Sequence, residues 1–301
     1  MRRSTLGSTL VLASLAIAQL AAPAAAQTLA QRIGRTDPAK MRELRAVHEG
    51  AGKMQFQPLL GADAVRSNLV FVHRGVILPK SGIGQHYHHQ GEEMFVILDG
   101  EAQFTIDGRT ATLAGPAAVP DLLGHAHGIY NATDKPLQWL NINVGLAKAY
   151  DKFDLNDPLD NATLDRIPQF VSLRLDRALL KPVAAMDGGT GTVRYRRALE
   201  PTVFSTAWSF VDHLVVPPGA SVGSAYIPGM SEVLYVVSGA GEVTVAGETA
   251  PITAGDAVPV NIGQARAIRA TGAAPLELMV IGIAEDLATK ADYVARQQRP
   301  R

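Results

Sequence analysis

The sequence predicts an all-β protein of two tandem domains, each a sandwich or a barrel, with helices only at their margins, and three observations lead to this prediction. The chain repeats itself at a fixed offset, since Glu93 and Glu232 lie 139 residues apart within a long matching stretch. Short apolar runs such as 94–98 and 233–237 end at turn pairs such as Asp99-Gly100. The 28 glycines and 18 prolines divide the chain into short segments, which is typical of sandwiches and barrels.

The internal repeat runs without a gap from Phe71, which matches Phe210, to Ile142, which matches Ile281. Turn glycines stay in register throughout, with Gly84, Gly100, Gly108 and Gly124 matching Gly223, Gly239, Gly247 and Gly263. A register kept over this length indicates a duplicated domain.

Helical pattern is confined to three short segments, at 37–47, 176–180 and 285–296. The first begins with Asp37 as a candidate N-cap and Pro38 at the first helical position. The predicted domains are a first barrel at 27–148, a connector at 149–201, a second barrel at 202–286 and a C-terminal helix and tail at 287–301. We expect the connector to pack across the barrels, because it is longer than a simple linker needs to be.

Residues 1–26 have the pattern of a cleaved signal peptide. Arg2 and Arg3 form a basic start, 6–20 is mostly apolar, and Ala24-Ala25-Ala26 is an A-x-A-type cleavage site. We therefore expect a periplasmic or secreted protein that has no membrane attachment after cleavage. The paired arginines leave twin-arginine export open beside the general route.

The charge of the chain excludes a nucleic-acid partner, since 28 basic residues balance 28 acidic ones and no basic stripe is present. We expect a small-molecule substrate instead. The chain has no cysteine, so neither disulfides nor thiolate ligands contribute to the fold or to a metal site.

Four side chains of the first copy have the spacing of a metal site: His86, His88, Glu93 and His127. Residues two apart on a strand project from one face about 6.6 Å apart, so His86 and His88 can bind one ion. We expect a hairpin turn at Gln90-Gly91 to bring Glu93 onto the neighbouring strand, and His127 to reach the ion from across the barrel. Three imidazoles and one carboxylate suit one divalent transition metal, namely Fe, Mn, Ni, Co, Cu or Zn. The alternative is a hydrogen-bonded polar cluster without metal, which would be costly to bury.

The candidate catalytic acid–base group beside this cluster is His125, which shares the strand parity of His127. A simple turn residue is the alternative for His125. Three residues of a later strand share one face and either line the cavity or form the contact between the barrels: Trp139, Asn141 and Asn143.

These motifs resemble those of the cupin superfamily. The first motif reads Gly84-x-His86-x-His88-x4-Glu93-x6-Gly100, and the second runs from Gly108 through Val119-Pro120 to His127-x3-Asn131. One departure is the approach from Pro120 to Gly124, which is longer than usual. Because the resemblance covers both copies, the chain is identified as a bicupin, similar to the quercetin-dioxygenase-like members. It implies two double-stranded β-helix (jelly-roll) barrels, with the metal inside the first near one mouth.

The second copy has lost the metal ligands. At the offset of the repeat, Ala225, Ile227 and Arg266 replace the three histidines, and Glu232 alone is kept. One carboxylate cannot hold a transition metal against water, and an arginine puts a cation where the ion would lie. We therefore expect the second barrel to be metal-free, with an Arg266–Glu232 ion pair in place of the metal.

An intact ligand set beside a copy that has lost its ligands favours an enzyme over a binding or storage protein. We expect a dioxygenase-type oxidoreductase that acts on a small phenolic or oxo/hydroxy acid. The alternatives are a metal-dependent isomerase or lyase of a sugar acid or a hydroxy/keto acid, and a periplasmic protein that only binds metal or ligand. Oxalate decarboxylases resemble the chain less, since those bicupins usually keep metal ligands in both halves. A homo-oligomer is compatible with the resemblance.

Overall fold

The computed structural model describes residues 27–298, so the predicted signal peptide lies outside the described part. The first half contains β1 Arg42–Arg45, β2 Lys53–Leu60, β3 Leu69–Ile77, β4 Ser81–Tyr87, β5 Gly91–Ile97, β6 Glu101–Ile106, β7 Arg109–Ala114, β8 Ala117–Asp121, β9 Ala126–Asn131, β10 Leu137–Gly145, β11 Phe153–Asp157 and β12 Leu173–Arg174. The second half contains β13 Lys181–Ala184, β14 Thr192–Leu199, β15 Trp208–Val216, β16 Ser221–Ala225, β17 Met230–Ser238, β18 Ala240–Val245, β19 Glu248–Thr253, β20 Ala257–Val260, β21 Arg266–Ala270 and β22 Leu276–Ala284. The helices are α1 Leu29–Arg32, α2 Leu287–Gln297 and five 3-10 turns at Pro38–Lys40, Val47–Glu49, Arg177–Leu179, Met186–Gly188 and Pro201–Val203.

Four antiparallel sheets form two barrels. The first barrel is made of a seven-stranded sheet, β1-β2-β3-β10-β5-β8-β12, and a five-stranded sheet, β11-β4-β9-β6-β7. The second is made of a six-stranded sheet, β13-β14-β15-β22-β17-β20, and a four-stranded sheet, β16-β21-β18-β19. Strand order is the same in both once the extra strands β11 and β12 are set aside. The predicted all-β class with two tandem barrels is confirmed.

The structural repeat begins earlier than the sequence identities reveal. At the same offset of 139 residues, β1 coincides with β13 and β2 with β14, end for end. The turn between each pair contains a left-handed alanine, Ala46 in the first copy and Ala185 in the second. The stretch 149–201 therefore supplies strands to both barrels, since β11 and β12 join the first and β13 and β14 join the second.

Two faces of the central strands serve two cores. Phe95 and Ile97 of β5 point into the first barrel, together with Trp139 of β10. The residues between them, such as Met94 and Val96, belong to the apolar core that the first barrel shares with the second. Since side chains alternate along a strand, the same strands close the barrel and join the two domains. The barrels therefore pack through an apolar interface.

A buried carboxylate adds polar specificity to that interface. Glu92 is fully buried and accepts hydrogen bonds from the backbone N–H groups of Ser205 at 2.8 Å and Thr206 at 2.9 Å. The hydroxyl of Thr206 also donates to it, at 2.6 Å. These three donors from the second half of the chain offset the cost of burying the charge of the carboxylate. Glu92 thus ties the first barrel to the second directly beside Glu93.

The helix that we predicted over 37–47 is wrong beyond its first turn. Asp37 caps that turn by accepting from the N–H of Ala39 at 3.0 Å, but the 3-10 helix ends at Lys40. The chain then forms β1, because its pairing with β2 outweighs the weak local helix propensity. The segment 176–180 is likewise only a 3-10 turn, whereas α2 forms close to its predicted bounds and is capped by Asp286. Within residues 27–298, neither helix has the length and apolar character needed to cross a membrane.

Candidate metal centre

The candidate metal centre lies between the two sheets of the first barrel. His86 is on β4 and His127 is directly opposite it on the adjacent strand β9. Glu93 is on β5, which belongs to the other sheet. Our expectation of their placement is therefore wrong in one respect: His127 is the neighbour, and Glu93 reaches the site from across the barrel. The turn at Gln90-Gly91 carries the chain from one sheet to the other instead of forming a hairpin.

The four predicted ligands converge on one point. Their donor atoms all lie within 4.8 Å of one another, and each of the four residues is at most 1% exposed. Nε2 of His127 is 3.1 Å from Nε2 of His86 and 3.3 Å from Nε2 of His88. The fourth donor, Oε2 of Glu93, is 2.9 Å from Nε2 of His88.

Backbone carbonyls fix the orientation of two of the imidazoles. Nδ1 of His86 lies 2.8 Å from the carbonyl oxygen of Gly84, and Nδ1 of His88 lies 2.6 Å from that of Asp151. A carbonyl can only accept, so we assign the proton of each neutral ring to Nδ1. The Nε2 lone pairs then face the centre of the cluster, as in histidines that bind metal.

Two carboxamides hold the glutamate. Nδ2 of Asn141 donates to Oε1 of Glu93, and Nδ2 of Asn143 donates to Oε2 at 3.0 Å. Both asparagines lie on β10, beside β5. The sequence left two roles open for the residues of this strand face, namely lining the cavity or forming the contact between the barrels. Asn141 and Trp139 line the cavity described below. Asn143 lies one residue pair further along the same strand, against Glu93.

The pKa values of the four side chains favour the binding of a cation. Burial lowers the pKa of His86 to about 3, and burial and the adjacent His86 lower the pKa of His127 well below its ordinary value. Burial alone would raise the pKa of Glu93, but His88 and the other imidazoles hold it below its ordinary value. Burial opposes a charge on His88, yet Glu93 outweighs it and raises the pKa of His88. In the absence of metal, an anionic carboxylate therefore faces two neutral imidazoles, His86 and His127, and favours the protonated form of the third, His88.

The donor set fits a divalent transition metal. Lone pairs on several neutral nitrogens that face one another at hydrogen-bond distance are unfavourable unless a cation lies among them. Imidazole and carboxylate together suit Fe, Mn, Co, Ni, Cu or Zn. Of the residues from 27 to 298, these four form the one histidine, aspartate and glutamate cluster with this geometry. The cluster can hold one metal ion.

A cavity of about 270 Å³ adjoins the cluster and includes Glu93 in its wall. Most of the wall is apolar or aromatic, with Leu44, Val47, Met54, Phe56, Phe71, Ile83, Phe95 and Trp139. Its remaining polar groups are His48, His73, Asn141 and Tyr150. Among the described residues, no lysine or arginine lines this cavity. Burial also lowers the pKa of His73 to about 4, so this side chain is uncharged at neutral pH.

Sequence reasoning missed a histidine that packs on the cluster. The ring of His48 stacks on His86 with 3.8 Å between centroids and 12° between planes. Nδ1 of His48 donates to Asp154 at 2.7 Å, and the hydroxyl of Tyr150 lies 3.1 Å from Nε2. Burial lowers the pKa of His48, although Asp154 opposes this effect. A single histidine outside the motif region gave no signal, because its partners lie about a hundred residues later in the chain.

The structure does not bring His125 to the cluster. Its side chain is 46% exposed, and Nδ1 donates to Asp107 at 2.6 Å. It lines a separate cavity together with Phe170 and Val171. A catalytic role at the metal centre therefore has no geometric support for His125, and the turn-residue alternative describes its position better.

A buried aspartate lies close to His127. Asp121 is fully buried on β8, and its Oδ2 is 3.8 Å from Nε2 of His127. Neither of its carboxylate oxygens has a hydrogen-bond partner among the described residues. Burial, and then the charge of Glu93, raise its pKa well above the ordinary value.

In the second barrel, the guanidinium of Arg266 occupies the position equivalent to that of the metal cluster. Nε of Arg266 donates to Oε2 of Glu232 at 3.1 Å, and Nη2 lies 3.4 Å from Oε1. Nη1 donates to Asp187 at 3.0 Å. The ion pair that we predicted from the sequence is present, and Asp187 joins it as a third member.

Comparisons with known proteins agree with this architecture. Residues 74–143 and 212–282 each match the cupin domain family. No curated protein matches the chain by sequence.

Several solved structures share the fold. The chain is similar to oxalate decarboxylase of Lactobacillus farciminis in a formate complex, with 16% identity, a TM-score of 0.60, and 88% of this chain and 90% of that one covered. It is similar to oxalate decarboxylase of Bacillus subtilis at pH 4.6, with 17% identity, a TM-score of 0.58, and coverage of 84% and 76%. AerE of Microcystis aeruginosa has 13% identity, a TM-score of 0.55, and coverage of 81% and 96%. At these identities the likeness concerns the fold alone.

Proposed function

We propose that this chain, which is a bicupin of the cupin superfamily, is a metal-dependent enzyme whose chemistry takes place in the first barrel. The observation that carries the proposal is the meeting of the His86, His88, Glu93 and His127 cluster with a largely apolar cavity. Perturbed titratable groups at the end of such a cavity are the usual mark of an active site. The proposed reaction is a dioxygenase-type oxidation of a small, uncharged phenolic compound.

The metal cluster supplies the reactive centre. When bound, a divalent transition metal would supply a Lewis-acid centre with coordination positions beyond those of the four side chains, and any of the metals named above except Zn would also supply redox chemistry. The chain's own residues prepare this place: the carbonyls of Gly84 and Asp151 orient two imidazoles, and Asn141 and Asn143 orient the carboxylate. Supporting contacts of this kind set the affinity of a metal site.

The cavity wall selects the substrate class. Phe56, Phe71, Phe95 and Trp139 offer ring faces and edges against which an aromatic substrate packs, and they exclude water. A small dianion such as oxalate would enter without any cationic side chain to accompany it, because no lysine or arginine of residues 27–298 lines the wall. The wall therefore favours a phenolic substrate over a small dicarboxylate.

A second candidate, a metal-dependent isomerase or lyase, is favoured by a different observation. Beside the cluster, Nε2 of His48 accepts a hydrogen bond from the hydroxyl of Tyr150, and Nδ1 donates one to Asp154. A histidine held between a phenol and a carboxylate can hold and pass on a proton, which isomerases and lyases require. Such a reaction consumes no oxygen.

Oxygen dependence separates the two candidates. The purified, metal-loaded chain is supplied with a panel of catechols and flavonoids, and oxygen uptake is measured beside product formation, in air and under argon. The dioxygenase proposal expects uptake matched to product in air, and no product under argon. Equal turnover under argon would instead establish the isomerase or lyase, and saturable binding without turnover would contradict both enzymatic proposals.

The proposed setting of this reaction is the periplasm or the cell exterior. The signal-peptide pattern of residues 1–26 supports it. Detection of a chain that begins at Gln27 in the periplasmic or secreted fraction would support export, and retention of the uncleaved chain inside the cell would contradict it.

A further inference from the structure

The second barrel contains a cavity at the position that corresponds to the active-site cavity of the first. It measures about 540 Å³, against about 270 Å³ in the first barrel. Six lining positions are shared at the offset of 139 residues, which in the first barrel are Leu44, Val47, His48, Phe56, His73 and Glu93. Their counterparts line the second cavity as Val183, Met186, Asp187, Tyr195, Asp212 and Glu232. The second barrel has therefore kept the cavity while losing the metal ligands.

The replacements make the wall of the second cavity more polar than that of the first. Where the first cavity has His48, Phe56 and His73, the second has aspartate, tyrosine and aspartate. Arg197 and Arg266 add two guanidinium groups. A barrel that serves only as structural support fills its interior with apolar side chains, because buried polar groups cost free energy. A wall of donors and acceptors is instead suited to a polar ligand.

The charges of the second cavity cancel within its own wall. Arg266 binds Glu232 and Asp187, and Arg197 binds Asp212 through Nε and lies 3.4 Å from its second oxygen through Nη2. The cavity wall contains three arginines and three carboxylates when Arg296 is included. An anion or a cation would therefore meet no net opposite charge. An uncharged ligand loses less hydration and needs no such compensation.

Aromatic groups complete the wall. Tyr293 is buried and Tyr195 is half-buried beside Arg197, and Nη1 of Arg197 donates to the hydroxyl of Tyr293 at 3.0 Å. Tyr226 lies at the cavity with 55% of its surface exposed, so its ring face is free to cover a ligand. Tyrosine rings offer an apolar face together with a polar hydroxyl. Hydroxyl groups on a ligand can both donate to carboxylates and accept from guanidinium groups.

From these features we infer that the second barrel binds a small, uncharged, polyhydroxylated molecule of the mono- or disaccharide class, without a metal. The carboxylates of Asp187 and Glu232 accept hydrogen bonds from ligand hydroxyls, and the guanidinium of Arg266 donates hydrogen bonds to ligand hydroxyls. Tyr226 covers the apolar face of the sugar ring. This inference goes beyond the proposed reaction and does not depend on it, since none of these residues belongs to the first barrel.

Calorimetric titration of the mature full-length chain tests the inference. The probes are glucose and sucrose, with glucosamine and glucuronate as analogues of glucose that carry a positive or a negative charge. The expected result is saturable one-to-one binding of a neutral sugar with a dissociation constant of about 1 mM or tighter. Both charged analogues bind more weakly. Absence of saturable binding for both neutral sugars, or tighter binding of either charged analogue, overturns the inference.

Variants locate the binding event. Arg266→Met weakens neutral-sugar binding by about tenfold or more, the change expected when a hydrogen bond to a charged group is lost. Arg269→Met is the matched control, because Arg269 lies on the exposed side of the same strand and pairs with Glu242. If Arg266→Met fails to fold, Tyr226→Ala decides the question, since that side chain is exposed. Unchanged affinity in Tyr226→Ala and in any folded Arg266→Met overturns the inference.

Discussion

The two barrels share one backbone plan and differ at the point where the first gathers its metal ligands. Their strands coincide at a constant offset from β1 and β13 to β10 and β22. Yet Ala225 and Ile227 stand where the first barrel has His86 and His88, and Arg266 stands where it has His127. Because both barrels fold, the histidines are not required for the fold.

The difference also shows how one glutamate can be stabilised in two ways. In the first barrel Glu93 faces three imidazole nitrogens and two asparagine donors, an arrangement completed by a metal cation. In the second, Glu232 faces a cation that is part of the chain, the guanidinium of Arg266. Each copy compensates the charge of this buried carboxylate, the first with a site for a metal ion and the second with a side chain.

The largest expected effect is the loss of metal in His86→Ala. Removing a direct ligand lowers metal affinity by more than the about 10–100-fold that the loss of a supporting group produces, so the purified variant contains almost no metal and no activity. His89→Ala is the matched control, because His89 is exposed and lies beside the cluster in sequence. Metal analysis checks both. Equal metal content in His86→Ala and wild type, with both folded, would contradict the assignment of His86 as a metal ligand.

A second prediction concerns the cation of the second barrel. Arg266→Met leaves Glu232 and Asp187 without their partner and lowers the free energy of unfolding by about 3–5 kcal/mol. The double variant Arg266→Met/Glu232→Gln recovers most of this loss, since the buried charge is removed as well. Denaturant unfolding measures both. An unchanged stability in the single variant would mean that the ion pair has no structural role.

The barrels also differ in how they respond to acid. Burial opposes ionisation of Glu277, but hydrogen bonds from His213 and Arg177 outweigh it and lower its pKa to about 2. In the first barrel the corresponding residue is Gln138, which cannot ionise.

The sign of the acid effect follows from that lowered pKa. Since the folded value is below the ordinary one of 4.5, Glu277 contributes its full stabilisation above about pH 4.5 and loses it as the pH falls toward 2. The contribution is about 3 kcal/mol at most. Glu277→Gln should therefore be less stable than wild type at neutral pH, with a gap that narrows between pH 4.5 and pH 2. A gap that stays constant over this range, measured by urea unfolding, would contradict the prediction.

The smallest expected effect comes from copying one residue of the second barrel into the first. Asn141→Val introduces the residue found at the matching position, Val280, and removes one donor to Glu93. Metal affinity should fall by about 10–100-fold while the fold and the four ligands remain. Competition with a chelator measures the change. An affinity equal to that of wild type would show that Asn141 does not support the ligand.

Much of the fold could be predicted because its signals are local. Turn glycines, short apolar runs and a constant offset are readable in one dimension, and the two barrels followed from them. The segment from Arg42 to Leu60 was harder, because its match to Lys181–Leu199 lies in backbone geometry and little of it in side-chain identity. The same segment misled the helix prediction at 37–47, since pairing with a neighbouring strand decides its structure.

The metal ligands could be predicted for a similar reason, and their surroundings could not. His86, His88, Glu93 and His127 belong to compact motifs, whereas His48 and Tyr150 reach the site only through the closure of the barrel. Strand parity suggested His125, but parity fails where a strand has not yet begun, and β9 begins at Ala126. Parity also cannot say which sheet a strand joins. We therefore expected Glu93 on the strand next to the histidines and His127 across the barrel, whereas the structure has the reverse.

The central claim is that a metal ion binds in the first barrel and that the second cannot hold one. Anomalous diffraction from crystals of the metal-loaded protein, recorded at the absorption edge of the metal, tests this claim most directly. The expected result is one strong peak among His86, His88, Glu93 and His127, with none between Glu232 and Arg266. A peak of equal strength in the second barrel, or none within reach of the four ligands, would contradict the claim.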